Sequence, residues 1–259
     1  MSSNRVDPLA SVHPRAELGG GVEIGPFAVV GPGVQIGEDV SIGPHAVIGG
    51  PTVVGARCRI HSHAVVGGAP QDRRHAGEPT TLHVGADTEI REFATLHRGT
   101  VRDRGDTQVG ARVLVMAYVH VAHDCVVGDD VVLANAATLA GHVVVEPFAT
   151  IAGLAAIGQR LCVGESAFVA AGAMVERDVP PFSVVSGDRA RVRGLNRVGL
   201  ARRGFPTETL RALKRAHRAL FLSSAPRAER LRSARDAAGG VTEALRLVDF
   251  VAKSPRACR

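Results

Sequence analysis

The chain has no tryptophan, and Phe, Trp and Tyr together make up 3% of its 259 residues. A thick core packed around large rings is therefore excluded. Hydrophobic residues still reach 45%, so the interior must be filled by small aliphatic side chains. That suits a narrow stacked architecture in which each turn contacts only its neighbours. No run of about 18 apolar residues occurs, which excludes a membrane-spanning helix. The opening MSSNRVDPLASVHP has no apolar stretch of the kind a secretory signal needs, so a cytoplasmic location is expected. There are four cysteines, Cys58, Cys125, Cys162 and Cys258, and none forms a CxxC pair. This argues against a zinc ribbon, a redox motif or a disulfide framework. Cys58 and Cys125 are read as packing residues of a reducing compartment.

What the chain does have is a six-residue rhythm. Val, Ile or Leu stands at Val12, Leu18, Ile24, Val30, Ile36, Ile42, Ile48, Val54, Ile60 and Val66, and again at Val84, Ile90 and Leu96. After a slip of one residue it runs from Val109 to Val175. A hexad of this kind is the signature of a parallel β-helix. Three hexads make one triangular coil of 18 residues, and neighbouring coils stack at about 4.8 Å. The expected fold is an all-β solenoid, a left-handed parallel β-helix over residues 1–186 of roughly eight coils, with inserted loops near 67–83 and 98–108. The two prolines of DVPPFS are expected to end the strand ladder. Helical spacing of Leu210, Leu213, His217 and Leu220 after Pro206, with further helical stretches near 227–238 and 241–253, marks 187–259 as a C-terminal helical domain.

Charge divides the same way. Residues 187–259 carry 18 Lys+Arg against 6 Asp+Glu, leaving 13 basic and 19 acidic residues for the rest. A basic end of this kind points to an anionic partner. No helix-turn-helix, zinc finger or aromatic-interleaved basic patch is present, so nucleic acid is not expected.

Residues that do not serve the hexad are the chemical candidates. His120, His123 and Asp124 lie in AYVHVAHDCVVG, and His142 follows His123 by nineteen residues, one coil and one residue further on. Stacking predicts that His123 and His142 are neighbours. Clustered histidines on a rigid wall suit either a general base with its supports or a metal site.

The motifs IGPFAVVGPGVQIG, QDRRHAGEPT, IREFATLHRGT, HVAHDCVVG, LANAATLAGHV, DVPP and NRVGLARRGF, taken in order, closely resemble the UDP-N-acetylglucosamine O-acyltransferase family over nearly the whole chain. The resemblance implies a homotrimer with active sites between subunits. It implies transfer of a 3-hydroxyacyl chain from acyl carrier protein to the 3-hydroxyl of UDP-N-acetylglucosamine, the first step of lipid A biosynthesis. No cofactor beyond the carrier's phosphopantetheine arm and no metal are implied. His123 matches the family's general base, Asp124 the carboxylate supporting it, and the Gly141 N–H the oxyanion donor. Asp72, Arg74 and His142 match residues around the sugar, and His120 one on the acyl-donor side. Gln159, Asn196, Arg202 and Arg203 match nucleotide contacts. Ala170, Ala171 and Arg189 match positions bearing on acyl length.

The chain departs from the family pattern where Gly158 replaces a usual His, Arg74 a usual Lys, and Arg189 a residue that is often His. Alanines at 170 and 171 stand where the family often has Gly-Gly, and their methyls are expected to shorten the accepted chain or merely to pack between coils. Three other readings remain open at this level: another hexapeptide-repeat sugar acyl- or acetyltransferase, a zinc enzyme of the γ-class carbonic anhydrase type, and a non-catalytic β-helix scaffold.

Overall fold

The computed structural model describes residues 3–254 and 256–258. As far as Leu195 it is a triangular prism of three sheets with eleven, nine and eight strands, parallel except for the last strand. Successive strands go to successive sheets, so each coil contributes one strand to each. The register is eighteen residues wherever the hexad is uninterrupted: Val126 lies beside Val144, and Val144 beside Cys162. Backbone N–H groups therefore bond to the coil above, as from Gly128 to the Val145 carbonyl at 2.8 Å.

The hexad aliphatics point inward, and from Ile24 to Val175 all of them are buried. The residue four positions after each is also buried and is often small, as with Ala28, Ala46 and Ala64. Cys58 and Cys125 occupy the same place, are fully buried and stay unpaired. Each buried Val, Leu or Ile contributes about 1.5–3 kcal/mol relative to exposure. One deleted side chain would thus remove a sizeable part of a single coil's stability.

The residue three positions after the aliphatic turns the corner. In the uninterrupted coils from Phe27 to Ser166 these residues, Gly33 and Pro51 apart, have φ between 53° and 63°, the left-handed region that costs an L-residue about 1–2 kcal/mol. The chain spends this repeatedly on non-glycine residues because the coil register leaves the corner no alternative. Three prism edges result. On the first, between sheets one and two, Phe27, His45, His63, Phe93 and Tyr118 stack with ring centroids 4.9–5.0 Å apart, the spacing of neighbouring strands. Asp124, His142 and Arg160 stand on the second edge, between sheets two and three. The third edge, between sheets three and one, carries Asp130, Phe148 and Ser166.

Both insertions leave the second edge. The first spans 69–80, between strands Val65–Gly68 and Thr81–Val84, and the second spans 98–105, between Thr95–His97 and Asp106–Val109. They are shorter than the expected 67–83 and 98–108. The flanking polar residues, Thr81–His83 and Asp106–Gln108, pair with each other as strands despite their composition.

The prolines do not end the ladder. Pro180 and Pro181 fall between strands, and Ser183–Ser186 still joins the first sheet beside Phe168 and Val169. Arg191–Leu195 then pairs with it antiparallel and closes that edge. The stretch 187–259, expected as a C-terminal helical domain, thus begins with a strand. Four helices follow: α1 (Arg197–Arg202), α2 (Thr207–Phe221), α3 (Arg227–Ala238) and α4 (Thr242–Lys253). Their apolar faces bury Leu200, Leu213, Leu220, Leu247 and Phe182 in a second core. Gly239, at φ 57°, ends α3 in the left-handed conformation helix termini favour.

Candidate active site

His123 follows the strand His120–Val121 by two residues and sits at the second edge. Its Nδ1 is 2.8 Å from Asp124 Oδ2. The Asp124 side chain is fully buried. It also accepts from the Thr100 N–H at 2.8 Å and the Thr100 hydroxyl at 2.7 Å, while its own N–H donates to Thr107 Oγ1 at 2.8 Å. These contacts hold the Asp124 carboxylate in place beside the His123 ring. The carboxylate fixes the His123 tautomer: Nδ1 carries the proton and Nε2 is left as acceptor.

Gly141 lies one coil on. A Cβ there would stand 2.7 Å from His123 Cε1 and 2.9 Å from Nε2, so only glycine leaves room for the ring. Its position in the hexad is the one occupied elsewhere by Pro26, Pro44 and Pro147. The ladder does not need an N–H there, and among the described residues the Gly141 N–H donates to no backbone acceptor. A free donor thus stands next to a free imidazole nitrogen.

The predicted neighbour of His123 is in place. The His123 and His142 rings meet edge to face with centroids 5.0 Å apart. His142 Nδ1 is hydrogen-bonded to Asp103, and Arg160 Nη2 lies 3.3 Å from His142 Nε2. His120 Nδ1 pairs with Thr95 Oγ1 at 2.8 Å and its ring lies 5.2 Å from His97. Burial, then the nearby His97 and His123, pushes the His120 pKa down. In the first insertion the Arg74 guanidinium grips Asp72 through two contacts of 2.8 and 3.1 Å. That pairing holds the Asp72 carboxyl well below the usual carboxylate range, with a smaller pull from His123. Gln159 and Gly158 lie on the next coil of this edge, and Arg189 above them reaches toward Glu176 at 3.7 Å.

The remaining candidates are elsewhere. Arg203 lies on the third edge, its guanidinium carbon 3.6 Å over the Phe148 ring, with one arm on Glu165 at 3.1 Å and on Ser166. Asn196 is on the same edge: it caps α1 through Gly199 N at 3.1 Å and donates to the Ser166 carbonyl at 2.9 Å. Arg202 is exposed at the end of α1. Ala170 and Ala171 sit on the first edge, where Ala171 is exposed. A single chain therefore gathers the base, its supports, the sugar-side candidates and Gln159 on one edge, with Arg189 above them, but not Asn196, Arg202, Arg203, Ala170 or Ala171. Each prism edge is separated from the others by a whole sheet.

His97, Thr100, Asp103 and Thr107 escaped the sequence reading. They lie in or beside the second charged break, where the hexad gives no phase. LHRGT was visible as a motif, but nothing in it says that Thr100 reaches Asp124.

The His123, Asp124 and His142 ligand atoms lie within 4.8 Å of one another, close enough to hold a metal ion. Both Nδ1 atoms already face carboxylates, however, and a zinc site needs three ligands converging at about 2.0–2.1 Å.

The prism and its histidine edge define a hexapeptide-repeat transferase, and the bacterial transferase hexapeptide model matches residues 33–68 and 106–141. The UDP-N-acetylglucosamine O-acyltransferase domain 2 model matches residues 178–258. The chain is 57% identical over 219 residues to the acyl-[acyl-carrier-protein]–UDP-N-acetylglucosamine O-acyltransferase of Alkalilimnicola ehrlichii, covering 85% of each. It is 44% identical over 255 residues to that of Janthinobacterium, covering 97% of each. Among solved structures, the UDP-N-acetylglucosamine O-acyltransferase of Moraxella catarrhalis superposes with a TM-score of 0.93 at 36% identity, over 98% of this chain and 99% of that one. The Francisella novicida enzyme gives 0.93 at 34%, over 98% and 94%. The chain belongs to the UDP-N-acetylglucosamine O-acyltransferase family, and its solenoid is the left-handed β-helix of that family.

Proposed function

We propose that the chain transfers a 3-hydroxyacyl group from acyl carrier protein to the 3-hydroxyl of UDP-N-acetylglucosamine, the first step of lipid A biosynthesis. The observation that carries this is the pairing of an acceptor nitrogen, His123 Nε2, with the unclaimed N–H of Gly141. An alcohol is a poor nucleophile at neutral pH. His123 Nε2 takes the proton of the sugar hydroxyl as its oxygen attacks the thioester carbonyl. The Gly141 N–H meets the oxyanion that develops on that carbonyl. Asp124 stabilises the imidazolium. Collapse of the tetrahedral intermediate breaks the C–S bond, and His123 returns the proton to the leaving sulfur. The products are the 3-O-acylated sugar nucleotide and the carrier thiol. Every atom is supplied by donor and acceptor, so no resident cofactor is needed.

Asp72, Arg74 and His142 hold the sugar end in this reading, Gln159 meets the nucleotide, and His120 lies toward the donor. Asn196, Arg202 and Arg203 meet the nucleotide diphosphate, and Ala170, Ala171 and Arg189 bear on the acyl tail. Because these groups stand on three different edges, we propose a homotrimer in which one chain's second edge faces a neighbour's surface bearing the others. The basic C-terminal helices receive the acidic carrier protein. Among the described residues no helix is long and apolar enough to cross a membrane, and a cytoplasmic location is proposed. An acyl-transfer assay with UDP-N-acetylglucosamine and a panel of 3-hydroxyacyl carrier proteins tests the whole. Wild-type turnover by His123→Ala removes the assigned base. The zinc reading rests on the cluster of His123, Asp124 and His142, and stoichiometric zinc in the purified protein would favour it.

A further inference from the structure

A cavity of about 600 Å³ lies between α1, α2 and the strand Arg191–Leu195. Its size falls within the range of ordinary ligand sites. Leu195, Leu210 and Leu222 line it with apolar surface over the buried Leu200. Arg193, Arg197, Arg211, Lys214 and Arg218 also line it, and all five are exposed. No acidic residue lines the cavity. Of these cations only Arg211 has a carboxylate within 4 Å among the described residues, Glu208 at 3.8 Å.

His217 adds an independent sign. It lines the same cavity, is 7% exposed, and its buried Nε2 has no hydrogen-bond partner. A buried polar atom left unpaired costs about 1–3 kcal/mol, so the wall of this cavity is not optimised for stability alone. Folding alone gives no reason to line an apolar hollow with five cations, because they repel one another across it.

We infer that this cavity binds an amphipathic anion, a long apolar chain ending in a carboxylate or a phosphate. The leucines take the chain and the cationic rim takes the head. The site is separate from the acyl-transfer edge and does not depend on it. It would let the protein respond to free acyl anions or phosphorylated lipids.

Isothermal titration below the critical micelle concentration tests this with dodecanoate, dodecyl phosphate, dodecanol and dodecyltrimethylammonium as probes. At least one of the two anions is expected to bind at least tenfold tighter than dodecanol or the cation, and the tighter of the two identifies the head group. Lys214→Glu/Arg218→Glu should weaken that binding at least tenfold while leaving the unfolding midpoint unchanged. Should that variant fail to fold, Arg193→Glu on the opposite wall serves instead. Equal affinity for dodecanol or the cation, undiminished binding in the folded variant, or no anion binding to wild type would each overturn the inference. Binding of the anion in the acyl-transfer site would appear as affinity that the rim substitutions leave intact.

Discussion

Replacing Gly141 by Ala adds one methyl where there is no room for it. The new Cβ would meet His123 Cε1 at 2.7 Å, and ordinary contact begins at 3.4 Å, so the ring must retreat by about 0.7 Å. It is held on its other side by Asp124 at 2.8 Å, and Asp124 is fixed by Thr100 and Thr107. Overpacking of this size costs about 1–3 kcal/mol, which in a chain of this length lowers Tm by roughly 2–4 °C per kcal/mol. Rate is the more sensitive readout, since a displacement near 1 Å costs about 10²-fold. Gly141→Ala is expected to lower kcat by about 30- to 100-fold with KM for UDP-N-acetylglucosamine within about threefold. Because Ala keeps the N–H, this loss belongs to the displaced His123. Proline is the natural residue of this turn at positions 26, 44 and 147, so Gly141→Pro removes the donor with little strain beyond that of the Cβ. It should lower kcat a further 10²- to 10³-fold, the value of one oxyanion donor. An Ala variant at wild-type kcat refutes the positioning argument. Equal rates for the Ala and Pro variants refute the oxyanion assignment.

Other tests address the supports, the departures and the pH response. Thr100→Val keeps the N–H bond to Asp124 but removes the hydroxyl at 2.7 Å, and losses of such supporting contacts cost about 10- to 100-fold; kcat should fall within that range, and an unchanged kcat would reject Thr100 as a positioning residue. Gly158→His places a Cβ 3.0 Å from the Val175 carbonyl, a gap that closes by a few tenths of an ångström. It should alter kcat or KM for at least one acyl donor, and identical constants for every donor tested reject a role for this departure. Burial lowers the His217 pKa to about 4 from 6.5. The folded pKa lies below the unfolded one, so its stability contribution is complete above pH 6.5 and is lost as pH falls toward 4. The loss is about 3 kcal/mol. Chemical denaturation across that window should show a steeper fall in wild type than in His217→Phe, and parallel curves remove the burial argument.

Periodicity made the coil legible because the constraint is local and repeated. One aliphatic in six must face inward, and a buried, often small residue must follow four positions later. It also carried the one long-range statement that mattered: an eighteen-residue coil brings His142 beside His123. The same logic failed where composition and structure part company. Thr81–His83 and Asp106–Gln108 look like loop but form strands, because their backbones complete the ladder between two insertions whatever their side chains are. Thr100 and Asp103 were invisible because a loop of irregular phase has no register from which to compute its neighbours. Arg203 was visible as a motif, but its partners Glu165, Ser166 and Phe148 come from three positions on the third edge that only the fold assembles. Its commitment to Glu165 also means that an incoming phosphate must compete with a carboxylate already in contact.

The separation of edges leads to a test of assembly as well as of chemistry. His123 and Arg203 stand on different edges of one prism, with a sheet between them, so one substrate can meet both only if a second chain brings its third edge to the first chain's second edge. His123→Ala and Arg203→Ala should then each be inactive alone. Co-refolded in equal amounts, they should form mixed trimers in which some interfaces pair an intact His123 from one variant with an intact Arg203 from the other. With random assembly about a quarter of the interfaces are whole, because a cyclic trimer presents each ordered pair of neighbours once. Activity should recover to about a quarter of wild type by that count. The variants mixed without refolding should stay inactive. If the co-refolded mixture is as inactive as its parts, each site is built from one chain, and the proposed trimer has no part in the chemistry.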